Sequence, residues 1–107
     1  MKRALVPILA VVVAALLALA VRQVFFVAPI EANQLYWNQK IFYFHVPCAF
    51  MLFAAVFACG IPAAIYLKTR DPRYDDVAAA AAELAVVFGA IVLGTGMIWG
   101  KAAWGVW

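Results

Sequence analysis

Apolar positions along this chain gather into long uncharged runs with no strand-like alternation. The runs cover residues 4–21, continued by 25–30 beyond Arg22, then 41–67, then 84–100, or 77–99 if Glu83 is admitted. A spanning helix needs ~20 mostly apolar residues. In hydrocarbon an open chain satisfies its backbone N–H and C=O groups only as a helix. The pattern therefore predicts an all-α polytopic membrane protein with three transmembrane helices, over about 4–27, 43–67 and 77–99.

Local signals mark the boundaries. Asp71-Pro72 stops the second run, because the residue before proline avoids helical geometry. Asp75 or Asp76 is placed to cap the third helix, with Glu83 within two or so turns of its start. Pro47 suits the first turn of the second helix, where its missing N–H costs nothing. Ala81, Ala85 and Gly89 recur every four residues, as do Gly96 and Gly100, a spacing that lets helices pack closely in lipid.

Composition agrees. The 107 residues are 70% apolar and 12% charged, with a mean hydropathy of +1.03, against ~45–50% apolar in soluble domains. Lipid is the solvent this surface suits. The net charge of +3 is scattered and forms no nucleic-acid patch. Lys2, Arg3, Lys68, Arg70 and Arg73 fall on one side of the predicted topology, and Arg22, Lys40 and Lys101 on the other. Positive residues favour the cytoplasm. The N-terminus is thus expected inside, the loop over about 28–40 outside, the loop over 68–76 inside and the C-terminus outside. Lys2 and Arg3 before an apolar run, with Ala18-Leu19-Ala20 behind it, also fit a signal peptide. The run's length and its apolar continuation to Ile30 favour an uncleaved helix.

The aromatic residues are lopsided. Trp37, Trp99, Trp104, Trp107, Tyr36, Phe42, Tyr43 and Phe44 fall on the outer side, and only Tyr66 and Tyr74 on the inner. An ordinary belt decorates both interfaces, so this one is either an uneven belt or a platform for a flat ligand. His45, the single histidine, lies at the outer end of the second helix, opposite the tryptophan-glycine segment that ends the third. An imidazole there is a hydrogen-bonded anchor or an iron ligand. Glycine beside Trp99 and Trp104 allows a planar ligand near the backbone. Cys48 and Cys59 stand ~16 Å apart along one helix and cannot pair within it, so they are expected to pack as small apolar groups. One histidine and two separated cysteines make no zinc site.

The segments Phe42-Tyr43-Phe44-His45-Val46-Pro47 and Trp99-Gly100-Lys101-Ala102-Ala103-Trp104-Gly105-Val106-Trp107 together resemble the haem-handling cytochrome c assembly proteins of the CcmC type, with the CcsA type behind them. The similarity covers 41–107 clearly and the first helix by position only. It implies a six-helix multi-pass protein of the bacterial inner membrane, N-terminus cytoplasmic and the tryptophan-rich face periplasmic. In such proteins two histidines flank the tryptophan motif and ligate haem b. His45 matches the first, as axial ligand to the haem iron. Trp99, Gly100, Trp104, Gly105 and Trp107 match the opening of the motif. The implied activity is haem transfer without bond-making catalysis, to a periplasmic haem chaperone. An ABC-type transporter and small membrane subunits are the implied partners. Ala102 and Ala103 stand where proline and a larger residue are common, and the second histidine and later helices are not in this sequence. The resemblance is therefore to the N-terminal half of a longer protein, and implies a fragment or one part of a split protein, with weak or no haem retention by the chain alone. Lys101 is a partner for a haem propionate or, preferably, a snorkelling interfacial lysine. Two alternatives differ in class: part of a CcsA-type synthase that joins haem to apocytochrome thiols, and a cofactor-free three-pass assembly subunit.

Overall fold

The computed structural model describes residues 2–30 and 36–107. Residues 31–35 of the predicted outer loop lie outside the described residues, as do the side chains of Lys2, Arg3 and Tyr36. The described residues are helical almost throughout and contain no strand. The chain divides into two units, residues 1–36 and 37–107.

The first unit carries α1, Lys2–Arg22, which widens into a π-helical turn over Gln23–Val27. That turn closes with the Ala28 N–H donating to the Gln23 carbonyl at 2.8 Å. Leu5, Ile8, Val12, Leu16 and Leu19 are all exposed along α1. A helix apolar on every side and covered on none belongs in lipid or against other helices.

The second unit is a helical hairpin. A 3-10 turn over Tyr36–Ile41 leads into α2, Phe42–Thr69, and α3 follows over Pro72–Trp104. The connection is very short. Arg70 takes the left-handed conformation, φ 59°, and its N–H donates to the Tyr66 carbonyl at 2.7 Å, closing α2. Asp71 then caps α3, its Oδ1 accepting from the Arg73 N–H at 3.0 Å, and Pro72 occupies the first helical position.

These caps correct the expected start of α3. The helix begins at Pro72, five residues before 77, and Asp71 takes the capping role expected of Asp75 or Asp76. Proline at the first position arrives with helical φ and no N–H to satisfy, so Asp71-Pro72 both ends one helix and begins the next. Pro47 differs too. Helical backbone starts at Tyr36, which puts Pro47 inside α2 and beyond its first turn. The Tyr43 carbonyl consequently receives no N–H from position 47.

The two helices pack along a seam of 3.5-residue spacing. The covered positions include Ile41 at the end of the 3-10 turn and His45, Cys48, Leu52, Ala55 and Cys59 on α2. On α3 they include Ala78, Ala81, Ala85, Phe88, Val92, Thr95 and Trp99. Alternating steps of three and four are the signature of left-handed helix pairing. The small residues do the expected packing: Ala78 and Ala81 are buried, and Leu52 Cδ1 lies 3.8 Å from where a Cβ on Gly89 would stand. Cys48 and Cys59 are half-buried free thiols within the seam. Outer faces stay apolar, with Phe50, Phe53, Phe57, Val86 and Leu93 exposed.

The 28 residues of α2 and 33 of α3 rise ~42 and ~50 Å, more than the ~30 Å hydrocarbon core. All three helices are long and apolar enough to cross a membrane. His45 stands ~33 Å along α2 from Leu67, so with the Arg70 turn at one interface it lies near the other.

Candidate functional site

The end of the hairpin away from the Arg70 turn collects the polar and aromatic chemistry. His45 sits one turn into α2 and faces α3 across the seam. Its Nδ1 lies 2.8 Å from the Thr95 hydroxyl oxygen. Thr95 in turn donates to the Ile91 carbonyl, one turn back on its own helix, at 2.6 Å. The other ring nitrogen, Nε2, makes no hydrogen bond among the described residues.

Gly96 makes this approach possible. A Cβ at position 96 would stand 3.1 Å from His45 Cε1 and 3.7 Å from Nδ1, so the imidazole occupies the space that any other residue's side chain would fill. Toward the helix ends a ladder of edge-to-face rings continues the seam. Phe42 and Trp99 stand with centroids 4.9 Å apart at 85°, and Trp99 and Trp104 at 5.1 Å and 84°. Such crossed pairs each contribute ~0.5–1.5 kcal/mol beyond their burial.

Two clefts open here. One, of about 290 Å³, is lined by Ile41, Phe42, His45, Gly96, Trp99 and Trp104. The other, of about 380 Å³, shares His45, Gly96 and Trp104 and adds Met97, Gly100 and Trp107 among its walls. His45 is thus flanked by apolar space on an aromatic wall. Trp99 Nε1 is shielded from solvent and has no hydrogen-bond partner among the described residues. A buried donor left unpaired costs ~1–3 kcal/mol.

The residues singled out from the sequence separate into distinct positions. His45, Trp99 and Trp104 line the first cleft, and Trp107 joins His45 and Trp104 on the second. Gly100 is buried beneath the Trp104 ring, whose Cε3 would lie 3.4 Å from a Cβ at that position, so its space is taken by the protein's own indole. Gly105 lines neither cleft. It ends α3 in the left-handed conformation, φ 75°, with its N–H donating to the Lys101 carbonyl at 3.0 Å. The Lys101 ammonium donates to the Gly105 carbonyl at 2.8 Å and stands 5.6 Å from the Trp107 ring. A cation is favourable at a helix C-terminus. Trp37 lies beside the buried Lys40, whose Nζ is 5.4 Å from the indole centre. Tyr66 lies at the opposite end, under Arg70 at 5.9 Å.

Thr95 and Gly96 are the residues that sequence reasoning passed over as a site. Thr95 is the only serine or threonine in α3, and it shares the seam face with Trp99. A single hydroxyl inside an apolar run was the available signal.

These donors and walls fit a haem. Among the described residues one imidazole nitrogen has no hydrogen-bond partner, the walls are aromatic, and a shielded indole N–H lacks an acceptor such as a carboxylate. Among the described residues no three His, Cys, Asp or Glu side chains gather as a metal cluster.

Comparison with known proteins agrees in kind. A family model described as CcmC, heme exporter protein C, matches residues 1–107. A cytochrome c biosynthesis ccmC-like mitochondrial protein of Marchantia polymorpha is 34% identical over 90 residues, covering 84% of this chain and 39% of the relative. A protein of the same description from Arabidopsis thaliana is 34% identical over 79 residues, covering 74% of this chain and 30% of the relative. The chain thus spans well under half the length of these curated relatives. No solved structure matches it significantly.

Proposed function

The chain belongs to the CcmC family, heme exporter protein C, and from that premise we propose that it serves cytochrome c maturation by holding haem at the aromatic end of the α2–α3 hairpin for onward transfer. The single observation that supports this reading most is His45: its Nδ1 is bonded to Thr95, its Nε2 has no hydrogen-bond partner among the described residues, and clefts flank the ring.

His45 supplies one axial ligand to haem iron. Trp104 and Trp107, both largely exposed, offer indole faces to the porphyrin. Trp99 Nε1 offers its hydrogen to a haem carboxylate, while Lys101 is already engaged at the end of α3. Half-open clefts suit cargo that must leave again. Nothing in this reaction makes or breaks a covalent bond within haem, so the chain acts in delivery and not as an enzyme. Haem b as the species carried, the periplasmic orientation of the aromatic end, a soluble haem chaperone as acceptor and a transporter complex as neighbour complete the proposal. The mitochondrial descriptions of the relatives make an organelle inner membrane the alternative address to a bacterial one.

Titration of ferric protoporphyrin IX into the full chain in detergent tests the reading. The wild-type chain is expected to develop a saturable Soret band, and His45→Ala to lose it. Bound haem is expected to pass to added apomyoglobin without denaturation. Equal binding by wild type and His45→Ala would overturn the assignment.

A further inference from the structure

We propose that Thr95 is a positioning residue for His45: it fixes the imidazole as the tautomer protonated on Nδ1 and so directs the lone pair of Nε2 to the ligand. The inference rests on the haem reading above for the identity of that ligand, and on hydrogen-bond geometry alone for the tautomer.

One hydrogen atom decides the tautomer. A threonine hydroxyl has a single hydrogen and two lone pairs. Thr95 Oγ1 stands 2.6 Å from the Ile91 carbonyl oxygen, a separation that two oxygens tolerate only with a hydrogen between them. The hydrogen is therefore committed to Ile91. The second backbone oxygen near it, that of Val92, is 3.4 Å away and competes weakly. With its hydrogen spent, Thr95 Oγ1 can only accept along the 2.8 Å line to His45 Nδ1. Nδ1 must then carry a proton, and in neutral imidazole the proton-bearing nitrogen leaves the other one with the lone pair. The opposite tautomer would require Thr95 to turn its hydrogen toward Nδ1 and leave two oxygens 2.6 Å apart with none between them.

The relay runs from imidazole to hydroxyl to helix backbone, so each bond polarises the next. Metal-ligating histidines use their second nitrogen in this way, and the partner orients the ring and raises its basicity. Gly96 holds the ring from a second side, with His45 Cε1 3.1 Å from the position of a Cβ. The imidazole is thus set in tautomer by Thr95 and in place by Gly96 before any ligand arrives.

The chain's single histidine makes the test clean. The full chain, labelled with nitrogen-15 at histidine and studied by NMR in detergent without haem, gives signals from one imidazole only. The wild type is expected to show a protonated Nδ1 and a pyridine-like Nε2. Thr95→Val, equal in shape and lacking the hydroxyl, is expected to shift to the Nε2-protonated form that free imidazole side chains prefer. Thr95→Ser is expected to keep the wild-type tautomer. In ferric protoporphyrin IX titrations Thr95→Val should bind about 10–100-fold more weakly, and Thr95→Ser close to wild type. An Nε2-protonated wild type, or a Thr95→Val chain with unchanged tautomer or unchanged affinity, would overturn the proposal. Loss of the haem reading itself would show separately, as unchanged binding by His45→Ala, while the haem-free spectrum still judges the Thr95 bond.

Discussion

Replacing Gly96 by alanine places a methyl carbon 3.1 Å from His45 Cε1 and 3.7 Å from Nδ1. Ordinary contact begins at 3.4 Å, so the imidazole must give by a few tenths of an ångström. Directed along the 2.8 Å bond to Thr95, that retreat lengthens it to ~3.1–3.2 Å, the long end of a useful hydrogen bond. Two effects on stability then oppose. Alanine gains ~0.5–1 kcal/mol over glycine inside a helix, and a weakened interhelical hydrogen bond in lipid costs ~0.6–2 kcal/mol. The hairpin should therefore range from ~0.4 kcal/mol more stable to ~1.5 kcal/mol less stable than wild type, while ferric protoporphyrin IX binds about tenfold more weakly. Gly94→Ala is the control, since no atom of the described residues outside its own helix backbone lies within 4 Å of its would-be Cβ. It should gain the helix term alone and bind as wild type does. Soret titration and thermal unfolding in the same detergent read both quantities. Equal haem affinity for Gly96→Ala and Gly94→Ala would refute the claim that position 96 seats the imidazole.

Other substitutions probe the same account. Trp99→Phe keeps a ring against Phe42 and Trp104 but removes the unpaired N–H; thermal unfolding should show an apo hairpin no less stable, by up to ~1–3 kcal/mol more so, and titration should show weaker haem binding. Asp71→Ala removes the side-chain cap of α3 and should cost ~0.5–2 kcal/mol in the same melt, with haem affinity unchanged because the cap lies at the far end of the hairpin. Gly105→Ala forces a side chain into a left-handed residue and should cost ~1–2 kcal/mol, read as fraying of the α3 terminus by amide exchange.

Sequence periodicity was enough for the helices, because in lipid an uncharged run of that length has no other way to satisfy its backbone. The α2–α3 boundary was half legible. Asp71-Pro72 announced a break, yet the same pair also starts the next helix, since Asp71 reaches the Arg73 N–H and Pro72 needs no partner. Reading the proline as a stop alone delayed α3 by more than a turn. His45 and the tryptophans were legible as chemistry, since a lone imidazole and a one-sided set of indoles are conspicuous in such a chain. Their support was not. The pairing of His45 with Thr95 spans fifty positions, and only the packed seam fixes which residues of α2 and α3 face each other. The glycines show the same limit. Gly96, Gly100 and Gly105 look alike in sequence, but one admits an imidazole, one seats an indole and one terminates a helix.

The central claim is that the single imidazole of this chain binds haem iron. Pulsed electron paramagnetic resonance on the ferric protoporphyrin IX complex, with nitrogen-15 introduced only at histidine, addresses it directly. The porphyrin nitrogens stay nitrogen-14, so any nitrogen-15 hyperfine coupling of axial-ligand strength arises from His45. That coupling is expected in the wild-type complex. A saturated complex with no nitrogen-15 coupling would contradict it.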